Sequence, residues 1–291
     1  MKSWMMIFSV LCVCSINTFA CTIDGKDGFA PENKLNIPTS VNKSGITEEQ
    51  FNSTIDRVSE VYSPIIEGMG ATLNVIRAWE NGTVNAYASR SGNIWNVKMF
   101  GGLARHKTVT PDGFALVVCH ELGHHVGGAP KYGTRNDWAS NEGQADYFGT
   151  LKCFRKVFEF DDNQTIVSSL SIPEKVKEEC RASWGGDKII NANEYFLCLR
   201  SAMAGKSLAN LLAELANDSE PLFETPDTRV VTTTQHAHPK AQCRLDTYFG
   251  GSICTVPHQD DVDSKDEILG TCHQSIDTRG VRPQCWFKPT I

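Results

Sequence analysis

The sequence of 291 residues predicts an α+β fold, in which a small antiparallel sheet packs on two long helices. Segments with apolar residues at helical spacing begin at Thr47, Thr110 and Asn141, and each of these is a residue type that caps helices. Residues 71–100 are instead rich in strand formers and contain two Gly-based turn signals. Residues 218–291 carry four cysteines among many Pro, Thr and Asp residues, which predicts a loop-rich segment held by disulfides.

The first helix is predicted from Thr47 to about Gly68. Thr47-Glu48-Glu49-Gln50 has the form of a capping box, and apolar residues follow at helical spacing. The runs "ATLNVIRAW", "TVNAYAS" and "IWNVKMF" then predict three antiparallel strands, with hairpin turns at Asn81-Gly82 and Ser91-Gly92-Asn93. Residues 22–44 are rich in Gly, Pro, Asn and Lys without a period, and we predict a surface loop there.

Two further helices follow the predicted strands. Pro111 lies in the first turn of one, which Gly127-Gly128 and Pro130 end. After a loop, "NEGQADYFGTLKCFRKVF" predicts a helix from Asn141 to Phe158. Residues 173–217 are predicted to form two or three shorter helices, the clearest of them in "KSLANLLAELAND".

Composition and the N-terminal residues predict an exported protein. The net charge of −6 argues against nucleic acid or an anionic membrane as a partner. Residues 1–20 have Lys2, an apolar run and small residues before Ala20, as in a secretory signal peptide. A membrane anchor is the alternative, but the run is too short to span a bilayer, and no later stretch reaches that length. We therefore divide the chain into a signal peptide (1–20), a core (21–217) and a Cys-rich C-terminal segment (218–291).

Cysteine usage agrees with export to the periplasm or the exterior. Eight of the eleven cysteines lie beyond residue 100, and this even set predicts up to four disulfides of open connectivity. The sequence contains no Cys-x-x-Cys, which argues against a cysteine-ligated zinc site. Cleavage after Ala20 would leave Cys21 first, so a lipid anchor on Cys21 is an alternative to release, although Thr18 and Phe19 fit a lipoprotein signal poorly.

The stretch "HELGHH", residues 120–125, is the strongest candidate site. His120 and His124 are four apart, so they share one helix face and can both direct a ring nitrogen at one zinc ion. Glu121 lies next to that face, where it can take a proton from the attacking water. His125 lies about 100° further round the helix and is predicted to point elsewhere. The motif alone is a hypothesis that needs structural context.

A catalytic zinc needs a third protein ligand and an open position. Glu142 and Asp146 are four apart on the next predicted helix and therefore share a face. We predict that Glu142 is the third ligand and that Asp146 accepts a hydrogen bond from a ligating histidine. The alternative is an ordinary helix with a solvated acidic face. The loop after His124 favours the metal site, because it lets the two helices pack antiparallel.

The motifs together resemble those of gluzincin metallopeptidases, and more closely those of the M48 group of the Ste24, HtpX and BepA type. HExxH is followed by ExxxD in "EGQADYFG". The other matching stretches are "NAYA" (85–88), "GGLARH" (101–106) and "HPKAQCR" (238–244). The resemblance covers residues 47–244, and the spacing from HExxH to ExxxD is short for that group. The resemblance implies a zincin-like core and a zinc-dependent endopeptidase that acts on protein or peptide substrates.

The resemblance also implies roles outside the ligand set. His238, in the HP element, would stabilise the oxyanion or cap the metal. His236, two residues earlier, is an alternative candidate for this role. The other alternative is that His238 is an ordinary loop histidine without a functional role. Arg244 would pair with a carboxylate of the ExxxD helix, with Asp146 the favoured partner.

The "NAYA" residues would lie beside the cleft. Asn85, Ala86 and Tyr87 would then line a sheet edge whose unpaired backbone groups bind substrate as an added strand. Cys119 and Cys153 lie beside a predicted ligand and on the ExxxD helix. If these helices pack together, we expect a disulfide between the two that fixes the distance between the ligands.

Two functions follow from these motifs. The first is an exported zinc endopeptidase in which Glu121 and His238 are catalytic. The alternative is a latent or inactive zinc protein of the cell envelope, in which His238 fills the open metal position and the domain serves as a docking surface. A structural domain without metal is a third interpretation.

Overall fold

The computed structural model describes residues 18–19, 28–41, 45–133, 137–185 and 192–290. Within these residues the chain is α+β, as predicted, with a small mixed sheet, helices and four disulfides. The predicted signal peptide lies outside the described residues except for Thr18 and Phe19, and Cys21 also lies outside them.

The sheet has the strand order β1-β3-β4-β2. Its strands are β1 (Thr18–Phe19), β2 (Thr72–Ala78), β3 (Ala86–Ser91) and β4 (Ile94–Phe100). β3 and β4 form the predicted hairpin, and Gly92 in its turn has a φ of +60°, which favours glycine. β2, however, pairs with β4 in parallel, so the prediction of three antiparallel strands is wrong for β2.

The predicted hairpin turn at Asn81-Gly82 is wrong for a physical reason. The chain after β2 crosses to the far side of β4, and Asn81-Gly82 lies in that crossing. The carbonyl of Gly82 accepts a hydrogen bond from Ile37 N at 2.8 Å, and the carbonyl of Asn81 accepts one from Gly102 N at 2.9 Å. A Cβ on Gly82 would lie 2.4 Å from Oδ1 of Asn36. The glycine therefore leaves room for the side chain of Asn36 instead of making a chain reversal.

The helices cover the inner face of the sheet and extend beyond it. In chain order they are α1 (Glu48–Gly68), α2 (Gly101–Ala104), α3 (Pro111–Val126), α4 (Glu142–Phe148), α5 (Arg155–Phe158), α6 (Asn163–Ser168), α7 (Glu174–Trp184), α8 (Ala192–Ala216) and α9 (Ala241–Ile253). A π-helical segment, Gly149–Phe154, joins α4 to α5. The predicted helix 141–158 is therefore continuous, with a local widening that the apolar pattern does not indicate.

Side-chain caps set the starts of the helices that carry the candidate site. Thr110 accepts a hydrogen bond from Gly113 N at 3.0 Å, and Asn141 accepts one from Gln144 N at 2.9 Å. The capping box predicted at Thr47 is also formed, with both reciprocal bonds present. These three predicted helix starts are confirmed, because each depends on contacts within a single turn.

Two features of the C-terminal half differ from the prediction. The two or three helices predicted in residues 173–217 are two, α7 and α8, but α8 is a single helix of 25 residues and is not short. Within the Cys-rich C-terminal segment, α9 packs on α8 and α4 and was not predicted. Its Gly250-Gly251 pair argues against a helix, yet a Cβ on Gly251 would lie 2.7 Å from the carbonyl oxygen of Tyr147. This pair therefore brings α9 close to the ExxxD helix.

The predicted loop 22–44 is partly buried, contrary to expectation. Gly28, Phe29 and Ala30 are buried, and the last two are fully inaccessible to solvent. They join the main apolar core, which lies between the sheet and helices α1, α3 and α8 and includes Phe51 and Phe114. Residues 28–30 therefore form part of the core next to α3.

Four disulfides form among the eight cysteines beyond residue 100, namely Cys119–Cys153, Cys180–Cys198, Cys243–Cys285 and Cys254–Cys272. The predicted bond between Cys119 and Cys153 is confirmed, and it links α3 to the π-helical segment. Four disulfides indicate an oxidising environment. Among the described residues, none of the helices has the length and apolar character needed to cross a membrane.

Replacing Cys119 and Cys153 together by Ser should lower both stability and metal affinity. The bond closes a separation of 34 residues, so its loss should lower the unfolding free energy by about 3–4 kcal/mol. Replacing Cys180 and Cys198 is the matched control, with a loss of about 3 kcal/mol for a separation of 18. Urea unfolding and chelator competition measure the two effects. Equal metal affinity in both double variants would contradict the role of the first disulfide at the site.

Candidate metal centre

The two histidines of the HExxH motif face each other across one turn of α3. His120 and His124 have no solvent exposure, and their Nε2 atoms lie 3.1 Å apart. α3 packs closely on α4 at this level, since a Cβ on Gly123 would lie 3.0 Å from Ala145 Cα. The spacing of four along the helix thus places both rings against the neighbouring helix.

Glu142 meets both histidines from the first turn of α4. Its Oε2 lies 3.3 Å from His120 Nε2, and its Oε1 lies 3.7 Å from His124 Nε2. One ligand atom from each of the three residues lies within 4.8 Å of the other two. The predicted ligand set His120, His124 and Glu142 is therefore a buried group that could hold a metal ion.

Hydrogen bonds to the outer ring nitrogens orient both histidines. His120 Nδ1 donates to Asp146 Oδ1 at 2.8 Å, and His124 Nδ1 donates to the carbonyl of Ser140 at 2.8 Å. Carboxylate and carbonyl oxygens only accept, so both Nδ1 atoms carry protons. Each Nε2 is thereby directed at the centre, which is the arrangement that metal-binding imidazoles need.

Asp146 is in turn held by Arg244 of α9. The guanidinium donates from Nε to Oδ2 and from Nη2 to Oδ1, both at 2.7 Å, and both side chains are buried. Burial opposes ionisation of Asp146, but Arg244 and His120 together keep its pKa below the usual value. The carboxylate therefore stays charged and able to orient His120.

The protonation of the two histidines differs in the protein without metal. Burial lowers the pKa of His124 to about 4, so this ring is a neutral ligand at neutral pH. Burial acts in the same direction on His120, but the carboxylates of Asp146 and Glu142 outweigh it and raise the pKa of His120 to about 9. A metal ion must therefore displace a proton from His120.

Glu121 is a buried carboxylate with no partner of its own. It has no solvent exposure, and neither of its oxygens has a hydrogen-bond partner among the described residues. Burial raises the pKa of Glu121 to about 8, and the negative charge of Glu142 adds to this effect. Such a group is costly to keep in a core unless it serves a purpose there.

The structure brings His238, and not His236, to the ligand group. His238 Nε2 lies 3.4 Å from Glu142 Oε2 and 2.7 Å from the carbonyl oxygen of Gly28. His236 contacts the side chain of Asn141 at 3.3 Å instead. His125 points away, as predicted, and lies stacked between Trp95 and Trp138.

Sequence reasoning missed Tyr132, whose hydroxyl donates to Glu142 Oε1 at 3.0 Å. Tyr132 belongs to the connection between α3 and α4, where its backbone N–H donates to the carbonyl of Ala139 at 2.8 Å. An isolated antiparallel bridge joins Lys131 to Ser140. No motif marks Tyr132, because its contact depends on the fold of the connection.

The "NAYA" residues form hydrogen bonds with residues 28–30 of the same chain. Asn85 Oδ1 accepts from Ala30 N and Asn85 Nδ2 donates to the carbonyl of Ala30, both at 3.0 Å. Phe29 N donates to the carbonyl of Ala86 at 2.9 Å, and the ring of Tyr87 packs against that of Phe100. The expectation that this part of the β3 edge is unpaired is therefore wrong, because residues 28–30 already pair with it.

Comparisons of the chain with protein-family models, with curated proteins and with solved structures found no match. The donor set itself fits a zinc ion, which is commonly bound by two imidazoles and one carboxylate. The oxygens of Glu121, which have no hydrogen-bond partner among the described residues, lie outside this group of three.

Replacing Asp146 by Asn should weaken zinc binding about 10- to 100-fold, because His120 would lose its charged acceptor. Chelator competition at neutral pH measures the dissociation constant. Asp56→Asn is the control, since Asp56 is exposed and pairs with Arg77 far from the centre. An unchanged dissociation constant in Asp146→Asn would contradict the orienting role.

Replacing Glu121 by Gln should stabilise the metal-free protein at alkaline pH. The pKa of Glu121 is about 8 in the folded state, against an ordinary value of 4.5 for a glutamate side chain in water. Between these values the folded state keeps a proton that the unfolded state loses, so stability falls as pH rises through this window. The variant lacks this loss and should unfold at higher temperature than wild type at pH 8, with the difference vanishing near pH 4.5. Glu60→Gln, on the exposed side of α1, should show no such difference.

Proposed function

We propose that the protein is an exported zinc-dependent endopeptidase of the M48-like gluzincin type that acts on protein or peptide substrates. The observation that carries the proposal is the carboxylate of Glu121, buried without a partner beside the His120, His124 and Glu142 group. A purely structural zinc site is normally closed by four protein ligands, whereas the group here has three and leaves Glu121 outside it. A hydrolytic site needs a base at this place.

Zinc held by the three ligands would polarise the scissile carbonyl and make the attacking water more acidic. Glu121 accepts the proton of that water and then delivers it to the leaving amine. Its raised pKa suits both steps, because a base that must also act as an acid works best near the operating pH.

Two hydrogen-bond donors approach the carboxylate of Glu142 from different sides. His238 lies near Oε2, and its Nε2–H, which donates to the carbonyl of Gly28 in this structure, would turn to the negative charge that develops on the substrate carbonyl oxygen. Tyr132 donates to Oε1 and thereby fixes the orientation of the third ligand. Asp146 orients His120 through its outer ring nitrogen, Nδ1, and Arg244 in turn fixes Asp146.

Substrate binding by strand addition is proposed at the other end of β3. Residues 28–30 cover Ala86, whereas Ser89 and Arg90 pair with β1, which belongs to the predicted signal peptide. Removal of that peptide would leave the backbone groups of Ser89 and Arg90 available to an antiparallel substrate strand. The four disulfides and the predicted signal peptide support a periplasmic or secreted location, with a lipid anchor on Cys21 as the alternative.

Replacing Glu121 by Gln should leave zinc binding intact and lower peptide cleavage about 100- to 10,000-fold, because the base is lost while the ligands remain. Unfolded, carboxymethylated protein and fluorogenic peptides serve as substrates, and zinc content is measured by elemental analysis. A chelator should abolish cleavage by wild type, and zinc should restore it. Glu60→Gln is the control.

Undiminished cleavage by zinc-loaded Glu121→Gln would refute this mechanism. Wild type that binds zinc and cleaves nothing, together with cleavage by His238→Ala, would support the latent docking protein instead.

A further inference from the structure

Residues Gly28-Phe29-Ala30, here called the N-terminal strap, form part of the wall of the candidate metal centre. Backbone and side-chain hydrogen bonds to Asn85 and Ala86 attach the strap to the start of β3. This attachment places the carbonyl of Gly28 next to His238.

The contact between Gly28 and His238 determines how the imidazole can act. The carbonyl oxygen of Gly28 only accepts, so the Nε2 atom of His238 that lies 2.7 Å from it must carry a proton. The next polar atom, Glu142 Oε2 at 3.4 Å, is also an acceptor. A protonated ring nitrogen has no lone pair to give to a metal ion. In this arrangement His238 is therefore a donor and not a ligand through Nε2.

Only glycine fits at the position that makes this contact. A Cβ on Gly28 would lie 2.1 Å from the carbonyl oxygen of Ala86, 2.7 Å from Asn85 Oδ1 and 2.8 Å from a ring carbon of Tyr87. These neighbours are backbone or are themselves held, so a larger residue must push the strap away from β3.

Phe29 couples the strap to the ligand side of the centre. Its buried ring meets the ring of His120 edge-on at 5.2 Å, and the guanidinium of Arg244 lies over it at 4.6 Å. Arg244 also donates to the carbonyl of Phe29 at 2.6 Å while it holds Asp146. The strap and the orienting residues of His120 thus form one connected structure.

We propose that the carbonyl of Gly28 is a positioning group that keeps His238 a hydrogen-bond donor and keeps it out of the metal's coordination shell. Use of the donor on a substrate oxyanion rests on the proposed peptidase function. Exclusion of His238 from the metal does not, since it concerns coordination alone. The N-terminal strap accordingly disfavours the metal-capping arrangement of His238, and a substrate oxyanion would take over the hydrogen bond that Gly28 accepts.

Cobalt-substituted protein tests the proposal, because the visible absorption of Co²⁺ reports the number and type of its ligands. In the wild-type background, His238→Ala should leave the cobalt spectrum unchanged. Gly28→Ala should displace the strap and release His238, which then binds the metal. The cobalt spectrum of this variant should shift. Zinc should dissociate about tenfold more slowly, because the imidazole of His238 is then an additional ligand. Both changes should vanish in Gly28→Ala combined with His238→Ala.

Gly68→Ala is the matched control, since a Cβ there meets nothing within 4 Å. If Gly28→Ala does not fold, Asn85→Ala removes both side-chain bonds to Ala30 without adding bulk and should shift the spectrum in the same direction. A spectrum that changes on His238→Ala in the wild-type background would overturn the proposal, and so would folded Gly28→Ala with the wild-type spectrum. These readouts follow coordination, so they decide the proposal even if no peptide is cleaved.

Discussion

The buried ion pair between Asp146 and Arg244 is the interaction on which the candidate centre depends. Asp146 accepts from both His120 and Arg244 at one oxygen and from Arg244 at the other, with no exposure to solvent. Removing either charge would leave the other unpaired in the core, where it is strongly unfavourable. The pair therefore fixes the ring of His120 and binds α9 to α4 at the same time.

The contacts around this pair explain why the carboxylate of Glu121 can be kept without a hydrogen-bond partner. Glu121 lies on a helix that is tied to its neighbour by the Cys119–Cys153 disulfide and by close packing at Gly123. These constraints supply stability that offsets the burial of Glu121. A site can retain an unfavourable group when the surrounding structure holds it in place.

The parts of the site that the sequence predicted are those that follow from local geometry. His120 with His124, and Glu142 with Asp146, are pairs four apart on helices whose caps are recognisable, and their placement needs only one turn of helix. Tyr132 and Gly28 reach the centre through tertiary contacts, which no spacing rule contains. The same reason explains β2, whose parallel pairing depends on a crossing loop, and α9, whose Gly250-Gly251 pair serves close packing.

The centre draws on both ends of the chain, since Phe29 precedes the ligand helices and Arg244 follows them by almost a hundred residues. A chain that emerges from the ribosome with its N-terminus first can fold α3 and α4 long before α9 appears. Until then Asp146 has no guanidinium partner and His120 is not held. Assembly of the centre is thereby delayed until the chain has been extended through α9, long after its three candidate metal ligands have been made.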